Sequence, residues 1–255
     1  MKLVLYPIVI NIGQLVRKKG RKVRSNAKMV ILVSVIVVAS VAAIVAYGYA
    51  NAKQACVASV SQKPVILYIN QGNGIVNGSG YTSMLRFASC QGFNTVFFQV
   101  YYNGKLLFSP PLLQSFVNQA HNESLRIFFA LYLTNDSQSI PMSILNLSED
   151  GVSLDMSTLA AGVQQSLLGT LQQNFHGQTA VTTYDFNTTL RPDLLVFETY
   201  QWPQEQAEIQ PGIIGSVEAL ATSSYSQYES EFQYALQHSD GVMVFDYYGL
   251  MVKGY

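Results

Sequence analysis

The chain has 255 residues, and its 15 Lys and Arg residues balance 15 Asp and Glu residues, so its formal net charge is zero. The balance is uneven, because residues 1–50 hold eight of the basic residues and no acidic residue, which leaves a formal charge of −8 on residues 51–255. The basic run at 17–28 could bind nucleic acid, but next to the apolar stretch at 29–50 its attraction to anionic lipid headgroups is favoured, so no nucleic acid partner is expected.

Residues 29–50 form an apolar stretch without a single charge. The stretch is 22 residues long, and a bilayer core about 30 Å thick requires roughly 20 helical residues. Basic residues cluster at 17–28, immediately before it, and positive residues stay on the cytoplasmic side of a membrane. A cleaved signal peptide is the alternative, because Ala50-Asn51-Ala52 resembles a cleavage site. The pattern favours a retained anchor and a single-pass protein of the cell membrane. The predicted parts are a cytoplasmic basic segment at 1–28, a transmembrane helix in the lipid bilayer at 29–50, a linker at 51–63 and an extracytoplasmic domain at 64–255.

Residues beyond the apolar stretch carry features of an extracellular surface. Two cysteines, Cys56 and Cys90, both follow it, where a disulfide would persist. They either pair or remain free thiols, and the sequence leaves both possibilities open. Acceptor motifs for N-glycosylation occur only in this part of the chain, which suggests a glycoprotein, at Asn77, Asn122, Asn135, Asn146 and Asn187.

Eight short apolar runs alternate with helical or loop segments after residue 63. Their nearly continuous apolar residues are typical of parallel strands that are buried on both faces. The predicted strands lie at 65–70, 95–101, 126–133, 151–156, 179–185, 194–200, 213–218 and 242–247.

Helical spacing appears between several of these runs. Ser109 and Pro110 predict a capped helix start, and Gly92 suits the end of an earlier helix. The helix after Pro110 is expected to bury Leu113, Phe116, Val117 and Ala120. Later stripes contain Leu159, Val163, Leu167 and Leu171, and then Tyr228, Phe232 and Leu236.

Eight strand-and-crossover units predict an α/β protein, a compact (β/α)8 TIM-like barrel preceded by one transmembrane helix. The region from residue 64 is short against the usual barrel of about 250 residues, so some crossovers are expected to be loops. Few residues follow the eighth strand, so no helix is expected after it. An open, doubly wound sheet is the alternative architecture.

Carboxylates end the last five predicted strands, and aromatic residues accompany them. In a parallel barrel, the residues at the carboxyl ends of the strands meet at one mouth. Carboxylates and amides bind sugar hydroxyls, aromatic faces stack on sugar rings, and paired carboxylates hydrolyse glycosidic bonds. Acids also end strands as helix caps, which gives each of them a structural alternative. The five are Asp155, Asp185, Glu198, Glu218 and Asp246.

Three stretches carry a resemblance to glycoside-hydrolase-like TIM barrels. Residues 93–100, FNTVFFQV, with Asn103-Gly104 and residues 108–110, FSP, resemble the second strand of that family, although Tyr101 stands where an Arg often follows. Residues 150–155, DGVSLD, resemble the fourth strand of chitinase-type barrels, and residues 241–245, GVMVF, resemble their closing strand. The chitinase pattern ends in a catalytic Glu at position 157, where this chain has a serine, so the resemblance implies a related barrel and not chitinase chemistry.

The resemblance and the strand ends together define a candidate site. Asp155 on strand four is the expected proton donor, Glu218 on strand seven the expected nucleophile or base, and Glu198 on strand six a substitute for either. The expected substrate-binding residues are Gln99, Tyr101, Asn103, Tyr132, Asp185, Tyr200, Trp202, Asp246 and Tyr247.

No cofactor or metal is expected. Gly72-Asn73-Gly74 with Gly78 follows the first strand, but the glycine spacing departs from the dinucleotide-binding pattern and no acid ends the second strand. The three histidines are scattered along the chain. The sequence therefore predicts a membrane-anchored, extracytoplasmic glycoside-hydrolase-like protein that acts on cell-surface or environmental glycans. The alternatives are a non-catalytic module that binds carbohydrate or an envelope partner, and a structural protein without a small-molecule site.

Overall fold

The computed structural model describes residues 61–70, 79–136, 138–199, 201–202 and 204–255. The predicted cytoplasmic segment, transmembrane helix and most of the linker lie outside these residues. Among the residues described, no helix is both long and apolar enough to cross a bilayer. The strands are β1 (Val65–Ile69), β2 (Thr95–Tyr102), β3 (Lys105–Leu106), β4 (Arg126–Tyr132), β5 (Gly151–Asp155), β6 (Gln178–Thr183), β7 (Leu194–Phe197), β8 (Ile214–Glu218) and β9 (Val242–Phe245). The α-helices are α1 (Ser79–Cys90), α2 (Pro110–Asn122), α3 (Ala161–Asn174), α4 (Tyr225–His238) and α5 (Tyr247–Lys253).

Eight of the strands form a closed parallel barrel, as the sequence predicts. The order is β1, β2, β4, β5, β6, β7, β8 and β9, and β1 pairs in parallel with both β2 and β9. The short β3 adds an antiparallel hairpin to the end of β2. The closure excludes the alternative of an open, doubly wound sheet. All eight predicted strands are present, with ends that differ by at most three residues.

Two apolar layers explain why the strand sequences are almost continuously hydrophobic. Alternate residues of one strand point to opposite faces of the sheet. In β1, Ile66 and Tyr68 belong to the cluster inside the barrel, whereas Leu67 and Ile69 belong to the cluster between the barrel and its helices. The inner cluster comprises Ile66, Tyr68, Phe97, Phe128, Ala130, Ala180, Val196, Ile214 and Met243.

Aromatic rings fill much of the barrel interior. Phe97 and Phe128 stack with ring centroids 5.0 Å apart. The Phe128 ring occupies the space beside Gly151 on the neighbouring strand, where an added Cβ would lie 2.1 Å from a ring carbon. Gly151 is therefore required by packing, because any side chain there would displace Phe128.

The crossovers are partly helices and partly loops, as the short length of the region predicts. Helices follow β1, β2, β5, β8 and β9, while β4, β6 and β7 are each followed by a segment without an α-helix. Helix α2 begins at Pro110 as predicted, and Ser109 occupies the N-cap position without a capping hydrogen bond from its side chain. It buries the four predicted residues, Leu113, Phe116, Val117 and Ala120.

The other predicted helical features are confirmed in part. Gly92, two residues after the last residue of α1, has a φ of 85°, which is the left-handed conformation that glycine accepts most readily at a helix end. Helix α3 buries Leu167 and Leu171 from the predicted stripe, but its third buried residue is Leu168. In α4, Tyr228 is buried, while Phe232 and Leu236 pack against the core only in part.

The prediction that no helix follows the eighth barrel strand is wrong. Helix α5 begins at Tyr247, because Asp246 caps it by accepting a hydrogen bond from the Gly249 backbone N–H at 2.9 Å. Gly254 ends the helix in the left-handed conformation. Two strong terminal signals therefore produce a helix of seven residues.

Cys90, at the end of α1, is disulfide-bonded. The sequence contains one other cysteine, Cys56, which lies outside the described residues.

The space filled by Phe128 gives a test of the barrel packing. We expect Gly151→Ala to lower the free energy of unfolding by about 1–3 kcal/mol, because the new methyl group overlaps the Phe128 ring. Gly169→Ala in α3 is the matched control, since nothing lies within 4 Å of the added Cβ. Alanine in place of a helical glycine is expected to raise that free energy by about 0.5–1 kcal/mol. Chemical denaturation of both variants measures the difference, and equal midpoints would contradict the packing described.

Candidate functional site

The inward-facing positions just beyond the inner cluster lie at the mouth of the barrel. Because side chains alternate along a strand, the second residue after an inward-facing one also faces inward. Asn70 thus follows Tyr68, Tyr132 follows Ala130, and Glu198 follows Val196. Asp155 is the register partner of Tyr132, and Glu218 ends β8 at the same face. The mouth therefore carries Asn70, Tyr132, Asp155, Glu198 and Glu218.

Tyr68 lies at the base of this mouth, in the middle of the carboxylates. Burial raises the pKa of its hydroxyl well above the ordinary value, and the charges of Asp155, Glu198 and Asp246 raise the pKa further. A hydrogen bond with the Gln99 side chain acts in the opposite direction. Since electrostatic interactions weaken with distance, Gln99 and three strand-end carboxylates all lie within electrostatic range of this hydroxyl group.

Asp155 has the most distinctive electrostatics of the site. Burial raises the pKa of its carboxyl group to about 6, although the backbone N–H and the hydroxyl of Ser157 both stabilise the ionised form. The Ser157 hydroxyl donates to Asp155 Oδ1 at 3.2 Å. A carboxyl group with this pKa is partly protonated near neutral pH, as a general acid must be.

Glu198 and Asp155 have two tyrosine neighbours in common. It is buried, and its backbone N–H donates to the Thr183 carbonyl at 3.0 Å, so the chain stays in register with β6 beyond the end of β7. Burial raises the pKa of Tyr132, and the charges of Asp155, Tyr102 and Glu198 raise it further. The charges of Asp155 and Glu198 therefore raise the pKa of the same two tyrosines, Tyr68 and Tyr132.

Glu218 and Asp246 form a second neighbouring pair. Burial raises the pKa of Glu218, and the charge of Asp246 raises it further. Burial also raises the pKa of Asp246, while its backbone hydrogen bonds lower it. Asp246 additionally accepts a hydrogen bond from the Asn70 side chain, which links the ends of the first and last barrel strands.

Two predicted stacking residues do not face the mouth. Tyr101 is buried in the layer between the barrel and the helices, because the register of β2 shifts between Gln99 and Tyr101. Tyr247 is the first residue of α5, and its ring meets that of Phe87 edge to face at 5.4 Å. Both rings are used in packing, and their contact with substrate stays a prediction.

Two other predicted binding residues have structural roles in turns. Asn103 has a φ of 46° and, with Gly104, forms the turn between β2 and β3. Asp185 is exposed, and its Oδ1 accepts a hydrogen bond from the Asn187 backbone N–H at 2.9 Å. These turns account for both residues, and their binding roles remain predictions. Tyr200 lies outside the described residues.

Trp202 lies at the side of the mouth. Its indole N–H donates to the Ser216 carbonyl, and the indole lines a small cavity together with Glu218. Its predicted contact with substrate remains a prediction.

Three residues of the mouth are absent from the predicted site. Tyr68 and Asn70 follow from the alternation of β1, which the sequence shows once the strand is placed inside a barrel. Tyr102 does not follow from the alternation of β2. Only the register shift in that strand brings the Tyr102 ring onto the Tyr132 ring, with centroids 5.2 Å apart. Counting alternate positions from Gln99 would have selected Tyr101.

Within the described part of the chain, no three His, Cys, Asp or Glu residues are arranged to hold a metal ion. The glycine-rich segment at 72–78 lies outside that part.

Comparisons with known proteins support the fold. No family model matches the sequence, and no curated protein matches it. A chitinase from Bacteroides thetaiotaomicron matches in structure at 10% identity, with a TM-score of 0.50 over 74% of this chain and 91% of the chitinase. A GH113 β-mannanase from Alicyclobacillus acidocaldarius matches at 10% identity, with a TM-score of 0.48 over 75% of this chain and 88% of the mannanase. A maltogenic α-amylase from Thermotoga neapolitana matches at 11% identity, with a TM-score of 0.48 over 71% of this chain and 67% of the amylase.

The chain therefore has a closed parallel TIM barrel, a fold that it shares with the chitinase. At about 10% identity, the chitinase match shows a shared fold and leaves the reaction to be argued from the site.

The raised pKa of Asp155 gives a pH-dependent prediction. Its pKa of about 6 in the folded protein exceeds the value of about 3.9 for an unfolded aspartate. Between these values the folded form keeps a proton that the unfolded form loses, so rising pH lowers the free energy of unfolding. We expect Asp155→Asn to be more stable than the wild type by about 1–3 kcal/mol at pH 8 and equally stable near pH 4.

Asp193→Asn is the control for this experiment. The Asp193 carboxylate accepts hydrogen bonds from the backbone N–H and hydroxyl of Thr179, at 2.7 and 2.9 Å, so its loss is expected to destabilise the protein at pH 8. Denaturant unfolding across the pH range measures both variants. A stability difference for Asp155→Asn that does not change with pH would contradict the raised pKa.

Proposed function

We propose that the barrel is a glycoside hydrolase that acts on cell-surface or environmental glycans. The observation that carries this proposal is the convergence of Asp155, Glu198 and Asp246 around Tyr68 at the carboxyl-end mouth. A pair of carboxylates in different environments is the minimum requirement for hydrolysing a glycosidic bond. The fold, shared with a chitinase, is compatible with this chemistry.

Asp155 is the proposed proton donor. Its raised pKa leaves it partly protonated near neutral pH, so it can protonate the oxygen of the leaving sugar. A second carboxylate must remain ionised, either to attack the anomeric carbon or to deprotonate a water molecule. In both cases the glycosidic bond breaks, and water supplies the hydroxyl group of the new reducing end.

Glu198 is the proposed partner of Asp155. The charges of Asp155 and Glu198 both raise the pKa of Tyr68 and of Tyr132. Glu218 is instead influenced by the charge of Asp246, which raises its pKa. This arrangement supports Glu198 ahead of Glu218, which is the partner that the strand positions suggest in the sequence. Asp246 caps α5 and binds Asn70, so it serves to hold the mouth together.

Matched amide variants of the full-length protein test these roles on chitin, mannan and starch oligosaccharides and on aryl glycosides. Asp155→Asn should reduce the rate of oligosaccharide hydrolysis by about 10²–10⁴-fold. The rate on aryl glycosides should fall much less, because their leaving groups need no proton. Glu198→Gln should abolish turnover of both substrate types. Glu229→Gln, a change on α4 outside the mouth, is the control and should have no effect.

Each result of this experiment identifies a role. Loss of turnover in Glu218→Gln but not in Glu198→Gln would transfer the partner role to Glu218. Wild-type hydrolysis that survives all three amide variants would contradict the proposed site.

A non-catalytic carbohydrate-binding module is the second candidate. It is favoured by Ser157, which occupies the position of the catalytic Glu in chitinase-type barrels and donates a hydrogen bond to Asp155. Glycan binding by the wild type without turnover would select this function.

We further propose that the barrel is extracytoplasmic and anchored by residues 29–50. The proposal is supported by the uncharged stretch and by the change from eight basic residues before residue 51 to a formal charge of −8 after it. Protease added to intact cells should digest the barrel, and protease added to inverted vesicles should not. A barrel protected in intact cells would contradict this topology, and a mature N-terminus near residue 53 would show cleavage instead of anchoring.

A further inference from the structure

A groove of about 750 Å³ lies on the outside of the barrel, beside the candidate site. One wall is the loop segment that contains Trp202 and Gln206, and the other wall is a face of α4. The lining residues on α4 recur at helical spacing, from Ser226 and Ser230 to Gln237. At 1.5 Å per residue this face is roughly 16 Å long.

The chemistry of the lining points to an uncharged ligand rich in hydroxyl groups. Trp202 and Tyr234 supply aromatic rings, which meet edge to face at 5.7 Å, and Gln206 and Gln237 supply amide groups. The described lining residues include no Lys, Arg or His and no aliphatic side chain, and the one acidic residue among them, Glu231, accepts a hydrogen bond from Gln227. A phosphate or an anionic polymer would require cations, and an acyl chain would require aliphatic contacts. Aromatic rings beside amides and hydroxyls suit a sugar ring, which has apolar faces and a polar rim.

The groove continues toward the candidate site. A smaller cavity of about 60 Å³ is lined by Glu218 and by three residues that also line the groove. The three shared residues are Trp202, Gln227 and Glu231. Gln227 donates to Glu231 at 2.8 Å, which fixes both side chains between the two spaces. The two spaces therefore adjoin at these shared side chains, so the groove lies next to the Glu218 side of the mouth.

We propose that this groove binds further sugar units of an uncharged glycan chain whose reacting unit lies at the mouth. The proposal rests on the proposed function, and it specifies the substrate class as an oligomeric or polymeric glycan without charged groups. A single sugar unit at the mouth would leave the groove unoccupied, so longer chains should bind more tightly.

Trp202 makes the proposal directly measurable, because it is the only tryptophan in the chain. Tryptophan fluorescence of the full-length Asp155→Asn variant is titrated with chitotetraose, mannotetraose and maltotetraose, and with the corresponding monosaccharides. At least one tetrasaccharide should change the fluorescence, with a dissociation constant at least tenfold lower than that of its monosaccharide. Combining Gln206→Ala with Gln237→Ala should weaken that binding about tenfold, because two hydrogen bonds to the ligand are lost.

Gln173→Ala is the matched control, since Gln173 is an exposed glutamine on α3, outside the groove. It should bind the tetrasaccharide like the parent variant. Gln237→Arg provides a second test that keeps the helix intact, because its long side chain should obstruct the groove and also weaken binding.

The outcomes separate the groove from the proposed function. No fluorescence change with any tetrasaccharide, or a change that the Gln206 and Gln237 substitutions leave intact, would overturn the groove proposal while hydrolysis by the wild type is judged separately. Binding in the groove by a wild-type protein that hydrolyses none of these glycans would support the groove and contradict the hydrolase.

Discussion

The backbone hydrogen bonds that join β1 to both β2 and β9 close the sheet, and the rest of the structure depends on this closure. In a closed sheet the inner face is a single enclosed surface, which Phe97 and Phe128 help to fill. The carboxyl ends of all eight parallel strands then surround one opening. An open sheet built from the same strands would place its ligands at a crevice between two of them. The convergence of Asp155, Glu198 and Asp246 around Tyr68 is thus a consequence of closure.

The parts of the fold that the sequence predicts are those with local signals. Each barrel strand is an apolar run of a few residues, and α2 carries both a Ser109 cap and Pro110 at its start, so these elements could be placed one by one. Asp155, Glu198 and Glu218 could be assigned to the mouth because each ends a strand or directly follows one. Tyr101 and Tyr247 could not be oriented in the same way. A shift of one residue reverses the direction of a side chain, and neither the irregularity in β2 nor the first turn of α5 leaves a pattern in hydrophobicity.

Carboxylates at similar strand ends have different chemistry because their surroundings differ. Asp185 is exposed and closes a turn, and Asp246 is occupied by the Gly249 N–H and the Asn70 amide. At Asp155, the loss of solvent outweighs two hydrogen bonds from Ser157. A buried acid of this kind weakens the folded state, which is the usual cost of keeping a reactive group ready at a site. The distinction depends on contacts between neighbouring strands, which a single sequence does not reveal.

The hydrogen bond between Asn70 and Asp246 spans 176 residues of sequence, and the pairing of β1 with β9 spans a similar distance. During translation, a chain that has already presented β1 to β8 still has two unpaired parallel edges, and such edges are prone to join other chains. Contacts so distant in sequence also form slowly. The barrel can therefore close only after β9 has been made, and until then the two edges stay without their native partners.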